Sequence, residues 1–244
     1  MDQISIIAAS GMRASMQSLD LLANNIANSS TNGYKGDSEF HSLFVSEAAQ
    51  DDPTGEPASL PMIERHWTDF GQGMLEPTNN PLDFGLSGKG FFTVQGPSGP
   101  LYTRNGSFQL SADGTLTTKE GYPLLDANNQ PLKLTSPGQP IVVLPDGTVQ
   151  QNGQSIGNMQ LASFKDSSAL FKQGGNYFDN TAGTDNVTSD DAQVYQGKIE
   201  ASNVSAAHGA VRLVSVMRQF EMMQKAISIS NDMGRQAIEQ VARL

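Results

Sequence analysis

The sequence predicts an α+β fold: N- and C-terminal helices form a coiled-coil-like assembly domain, and the middle of the chain forms an antiparallel β domain. Three observations predict it. Apolar residues recur at heptad spacing near the N-terminus and after Val204, as along a coiled-coil seam. Between about Leu82 and Phe164, short β-type runs alternate with Asn-Gly and Asp-Gly turns. Glycine and proline are plentiful, at 24 and 12 of 244 residues, while charged residues make up only 16%, which suits a turn-rich β domain rather than a disordered acidic chain.

Taken in order, the stretch from Ile4 to Lys35 begins as a helix and ends as a turn. Met12, Leu19 and Ile26 fall seven residues apart with Ser15 and Leu22 between them, so a helix carries them as one narrow seam. That seam is too thin for a buried core helix and calls for a partner. Asn28 to Gly33 supplies the stop, because Ser, Thr and Asn compete for backbone hydrogen bonds and Asn32-Gly33 accepts a positive φ. Phe40 to Ala49 reads as a short helix or strand, and Gln50 to Pro61, rich in Asp, Gly and Pro, as a linker or surface loop. Asp51, Asp52 and Glu56 lack the spacing of a calcium loop and read as a solvated cluster. Ile63 to Met74 reads as an extended arm that packs its aromatics, Trp67 and Phe70.

Strands are expected at 90–95, 101–104, 107–110, 115–118, 140–144, 148–151 and 158–164, joined by turns at Asn105-Gly106, Asp113-Gly114, Asp146-Gly147 and Asn152-Gly153 that allow positive φ. Their spacing suggests an antiparallel sandwich or barrel-like sheet. A polar, turn-rich stretch from Gly174 to Asp191 follows, and the helical period returns only after about Gly197. There Leu213, Phe220, Ile227, Gly234 and Val241 form one heptad series, and Val216, Met223, Ser230, Ala237 and Leu244 a second three residues later. The expected assembly interface is therefore Met12, Leu19, Leu22 and Ile26 with Leu213, Val216, Phe220, Met223, Ile227 and Val241. Gly11 and Gly234 lie within these helices, where glycine costs about 1 kcal/mol relative to alanine, so either close helix approach or a kink is expected at them. The expected domains are 1–35 with 203–244 (helical assembly), 36–80 (arm or linker) and 81–202 (β-rich).

Composition narrows the function. A formal net charge of -10 without clustered Lys and Arg argues against nucleic acid as partner. Without cysteine, neither disulfides nor thiolate chemistry can contribute, and three histidines are too few for a dedicated metal site. No run is long enough to span a bilayer, and the N-terminus lacks the basic and apolar regions of a standard secretory signal, so export would need another route. Gly85 to Gly90 lacks P-loop spacing and no helical pattern follows it. No GxSxG motif occurs. Two of Asp83, Asp113, Asp126 and Asp146 could approach as a glycosidase pair, but three of them sit at turns, where Asp is favoured for local hydrogen bonding. The methionines from Met217 to Met233 read as helix-contact surface. No catalytic, cofactor or metal site is expected.

Several runs together resemble the signatures of bacterial flagellar rod and hook proteins. They are Ser10-Gly11-Met12, Leu19-Asp20, Ala23-Asn24-Asn25-Ile26-Ala27-Asn28, Thr31 and Gly33-Tyr34-Lys35 at the start. Asn80-Pro81-Leu82-Asp83, Gly88-Lys89-Gly90-Phe91-Phe92, Tyr102-Thr103-Arg104-Asn105-Gly106 and Gly114-Thr115-Leu116 follow, and Glu200-Ala201-Ser202-Asn203-Val204 and Arg218-Gln219-Phe220-Glu221 close the series. The resemblance covers nearly the whole chain. It implies structural roles for Asn24, Asn25, Asn28, Gly33 and Arg104; Arg104 is expected to hold turn carbonyls or a carboxylate with its planar donor fork, the alternative being a solvent-exposed strand arginine. It further implies a non-enzymatic rod subunit of the basal body, of the proximal-rod kind, with the distal rod as alternative. Such a subunit assembles with its own copies and neighbouring rod subunits, and reaches the periplasmic rod through the flagellar type III export apparatus without a cleaved signal. The rival from another class is an exported cell-wall enzyme or carbohydrate-binding module.

Overall fold

The computed structural model describes residues 3–45, 59–136, 138–165, 167–180, 186–188 and 192–241. The fold is α+β. Helix α1 (Gln3–Ala27) opens the chain, helix α2 (Ala206–Val241) closes it, and the strands between them pair antiparallel. The expected linker 50–61 with its acidic cluster lies largely outside the described residues.

The chain divides into two compact units, 1–27 with 37–69 and 205–244, and 28–36 with 70–204. In the first unit, strands Asp37–Val45 and Ser59–Thr68 form an antiparallel ribbon with a bulge between Phe40 and His41. Asn25 joins α1 to this ribbon: its amide donates to the Asp37 carbonyl at 2.7 Å and accepts from the Asp37 N–H at 3.0 Å. Trp67, expected to pack within an arm, is 51% exposed, because its cross-strand partner Ser38 is too small to cover an indole.

The second unit is built on a six-stranded antiparallel sheet in the order Phe171–Lys172, Tyr177–Asp179, Gly99–Thr103, Phe91–Gly96, Leu161–Phe164, Asn186–Thr188. Its central strands are apolar on both faces, as a strand covered on both sides requires. Phe92, Val94, Leu101, Leu161 and Tyr177 join the main core with Phe84, Phe108 and Val149. Phe91, Tyr102, Ala162, Phe164 and Phe178 line the opposite face, where Phe70 closes over them with ring centroids 5.7 Å from Phe91 and 5.1 Å from Phe178. Smaller pairings surround this sheet, among them Thr148–Gln151 between Ile141–Val143 and Gln154–Asn158, Phe84–Ser87 with Gln193–Gln196, and Leu75–Pro77 with Lys198–Glu200.

Leu116, Leu124 and Leu132 close a ring of backbone bonds: each N–H donates to a carbonyl of another, Leu116 to Leu132, Leu132 to Leu124 and Leu124 to Leu116. All three leucines are buried. The turns hold glycine for two different reasons. Gly114, Gly147 and Gly153 have positive φ, whereas Gly106 does not; there a Cβ would lie 1.6 Å from the Phe84 carbonyl oxygen, so close backbone approach imposes the glycine. The expected polar turn region 174–191 contributes strands at Tyr177–Asp179 and Asn186–Thr188, and no continuous helix begins before Ala206.

Candidate functional site: helix seams and a buried charge cluster

Within the helical unit, burial along α2 is strictly periodic. Among its described side chains, the half-covered positions are 209, 213, 216, 220, 223, 227, 230 and 234, and every other position is exposed. The spacing of three and four is that of an a/d seam. Leu213, Val216, Phe220, Met223 and Ile227 lie on it, while the side chain of Val241 lies outside the described residues. On α1, Met12, Leu19 and Ile26 are half-covered and Leu22 is buried. The most buried stripe of α1 is rotated from the apolar seam and consists of Gly11, Ala14, Ser15, Ser18, Leu22 and Asn25.

The two helices run antiparallel: Ile26 lies against Gly209, where an added Cβ would come within 2.7 Å of the isoleucine side chain. Close approach therefore occurs at Gly209, whereas a Cβ at Gly234 would meet nothing within 4 Å, and α2 runs unbroken through that position. A cleft of about 340 Å³ lies beside the seam, between Gly11, Ala14, Ser15 and Ser18 of α1 and Ser215, Val216, Gln219 and Met223 of α2. Arg212 pairs with the buried carboxylate of Glu39 at 3.0 Å at its edge.

In the β unit, three of the sequence signatures meet at one buried carboxylate. Glu200 Oε1 accepts from Lys35 Nζ at 2.5 Å and from the Gly73 N–H at 2.7 Å, and Oε2 accepts from Arg104 Nη1 at 3.1 Å. Lys35 also donates to the Gly71 carbonyl at 2.8 Å, and Arg104 Nη2 to the Gly88 carbonyl at 2.6 Å. The side chains of Lys35 and Glu200 are wholly buried and that of Arg104 is 5% exposed. Arg104 thus holds both a turn carbonyl and a carboxylate, and its guanidinium lies 5.3 Å over the Phe91 ring. Burial pulls its pKa down, and the neighbouring Glu200 carboxylate opposes that shift.

The turn after α1 is built into this cluster. Gly33, at φ +68°, donates its N–H to the Glu200 carbonyl, and a Cβ there would strike the Arg104 and Asn105 backbone at 2.3 to 2.6 Å. Asn28 accepts from the Thr31 hydroxyl and N–H within the turn. Lys172 donates to the Lys35 carbonyl and sits 4.5 Å over the Tyr34 ring, while Asn176 donates to the Asn32 carbonyl. Asn24 is exposed on α1. Lys35 and Glu200 both lie in signature runs, yet the sequence does not mark them as site residues, because their pairing spans 165 residues and no local pattern encodes it. The chemistry of this cluster is cohesive: two cations share a carboxylate, and the other groups around it are main-chain donors and acceptors. Among the described residues, no group of His, Asp and Glu could hold a metal ion, and no helix is long and apolar enough to cross a membrane.

Two terminal helices and an antiparallel β unit whose buried cluster gathers the signature runs define an α+β fold, and comparison with known proteins identifies its family. Residues 7–35 match the model of the flagella basal body rod protein, 85–153 that of the flagellar hook protein FlgE/F/G D1 domain, and 195–240 that of the flagellar basal body rod FlgEFG protein C-terminal region. The chain is 30% identical to the flagellar basal-body rod protein FlgF of Caulobacter vibrioides over the full length of both. It is 31% identical to FlgF of Mesorhizobium japonicum, over 93% of this chain and 94% of the relative, and 31% identical to FlgG of Buchnera aphidicola subsp. Schizaphis graminum, over 93% and 95%. The chain belongs to the flagellar basal-body rod protein family.

Proposed function

We propose that this chain is a structural subunit of the proximal rod, assembling helically with its own copies and with neighbouring rod subunits into the shaft that carries torque from motor to hook. Its terminal helices are the assembly elements, paired as a coiled-coil-like seam through Met12, Leu19, Leu22 and Ile26 and through Leu213, Val216, Phe220, Met223, Ile227 and Val241. It reaches the periplasmic part of the basal body through the flagellar type III export apparatus without a cleaved signal. The observation that carries the reading is the exposure pattern of α2. One face is half-covered at seam spacing, while Val211, Val214, Met217, Met222, Ile229 and Met233 are exposed along the rest of the helix. Apolar surface that one chain leaves uncovered favours neighbours by about 25 cal/mol per Å² buried. Heterologous contacts that do not close into a ring extend as a helix.

Complementation tests this reading. The chain should restore motility to a strain lacking its FlgF-type subunit, while Leu213→Asp and Leu19→Asp variants should be made and folded yet build no flagella. A Leu213→Asp subunit that still supports motility would remove the seam from the mechanism. The relatives named FlgG, at comparable identity and coverage, favour a second reading as a distal-rod subunit. Rescue of a strain lacking its FlgG-type subunit, without rescue of the other, would select it.

A further inference from the structure

We infer that Gly33–Gly36 and Glu200–Asn203 form a mechanical clamp, loaded in shear, that shields the β unit from tension applied through the two helices. The inference goes beyond the rod reading and concerns the single chain.

The segment leaving α1 and the segment entering α2 are bonded directly to one another. Gly33 N–H donates to the Glu200 carbonyl at 2.7 Å, Asn203 N–H to the Tyr34 carbonyl at 3.3 Å, and Gly36 N–H to the Asn203 Oδ1 at 2.8 Å. The Lys35–Glu200 ion pair joins the same two segments at 2.5 Å, wholly buried. The earliest residue of one segment meets the earliest of the other, and the latest meets the latest, so the segments run in the same sense. Tension from the chain ends pulls Gly33 toward the N-terminus and Asn203 toward the C-terminus, at opposite ends of the bonded patch. In that geometry the bonds must stretch together, whereas segments of opposite sense would open one bond at a time.

Each side of the clamp has its own footing in the β unit. The Asn32–Lys35 side is held by Asn176, Lys172 and the close approach of Gly33 to Arg104 and Asn105. The 200–203 side is held by pairing with Leu75–Pro77, by the Ala201 N–H on the Met74 carbonyl, and by Arg104 and Gly73 on Glu200. A buried ion pair strengthens such a patch because separating it exposes each charge to an uncompensated low-dielectric site before water can enter. The chain between the two segments, 37–199, therefore lies off the load path while the clamp holds. The antiparallel helices, whose outer ends are the chain ends, peel first and leave the clamp as the element under load.

Single-molecule force spectroscopy of the full chain, held by handle domains fused to both termini, tests the inference. After low-force opening of the helices, one dominant rupture is expected, followed by extension of the 37–199 segment, on the order of 550 Å at 3.3 to 3.6 Å per residue. Glu200→Gln should lower that rupture force by roughly half, and Asn203→Ala, which leaves the charge cluster in place, by a smaller step, with folding checked by circular dichroism. The sequence has no cysteine, so Ser98→Cys with Ser155→Cys gives a second pair of handles on exposed positions of the β unit. Pulled there, the force should not respond to Asn203→Ala. Extension of the β unit ahead of the clamp would overturn the inference. So would an Asn203→Ala effect that is absent from the terminal pull, or equal in both pulling geometries.

Discussion

The helical and β units solve the same problem, burial of apolar surface, to different degrees. In the β unit, Phe84, Leu86, Phe92, Val94, Leu116, Leu124 and Val149 are wholly buried, and even the charges of Lys35 and Glu200 are enclosed with partners. In the helical unit, no described side chain of α2 is fully buried, and the tightest stripe on α1 is made largely of glycine, alanine and serine. The β unit thus encloses a continuous apolar core, whereas α2 fully encloses none of its described side chains. A chain that saturates its contacts gains little from a neighbour, whereas one that leaves a seam and an apolar flank uncovered gains its remaining stability by association.

Four measurements break or sharpen this contrast, each read as a change in the stability of the β unit. The largest effect is expected at Glu200. Glu200→Ala leaves Lys35 and Arg104 buried without their shared carboxylate and should cost about 3–5 kcal/mol in chemical denaturation followed by tyrosine near-UV dichroism. A loss under 1 kcal/mol would mean that water reaches the cluster. Next is Gly73→Ala, whose Cβ would fall 2.0 Å from the Ala201 carbonyl oxygen, against backbone that cannot turn aside. A loss of about 1–3 kcal/mol is expected, and an unchanged midpoint would show that the 71–74 strap is loosely held.

Alkaline pH gives the third. Tyr177 is buried and donates its hydroxyl to Glu120 at 2.5 Å; burial and this carboxylate push its pKa well above the usual phenol value. The unfolded chain releases the phenolic proton near pH 10 while the folded chain keeps it, so this contribution is complete below about pH 10 and is lost as pH rises above it. The slope should approach about 1.4 kcal/mol per pH unit. In Tyr177→Phe that part of the slope disappears. If both proteins lose stability equally above pH 10, another tyrosine is responsible.

How far the sequence revealed this molecule follows from the same contrast. The α2 seam was readable because a helix covered on one side only imposes a three-and-four rhythm on its apolar residues, and the half-covered positions fall on that rhythm. The central strands 91–96 and 99–103 were readable, as expected runs at 90–95 and 101–104, from short β-type segments between turns. The true buried stripe of α1 was not, since Gly11, Ser15 and Ser18 carry no hydropathy signal and are buried by their place on the helix rather than by apolar character. Strands Gln154–Asn158, Asn186–Thr188 and Gln193–Gln196 hid in polar sequence because edge and peripheral strands need only partial cover. At the cluster, Arg104 and Gly33 stood out by their motifs. Glu200 did not stand out as their common partner, because a contact across so much of the chain is set by topology and leaves no spacing to read.

The smallest effect on the β unit is expected from Leu213→Asp, and that is what makes it informative. Leu213 is a half-covered seam position in the helical unit, so an aspartate there removes apolar contact and places a charge on the seam without touching the buried cores of the sheet. The denaturation midpoint of the β unit should move by less than about 0.5 kcal/mol, as for substitutions remote from a core. Hydrogen exchange along α2 should rise, because part of its limited cover is lost. Assembly with copies of the chain should fail, which sedimentation would show directly. If the β unit instead loses stability in step with α2, the two units fold as one, and the open contacts of the helices do not belong to assembly alone.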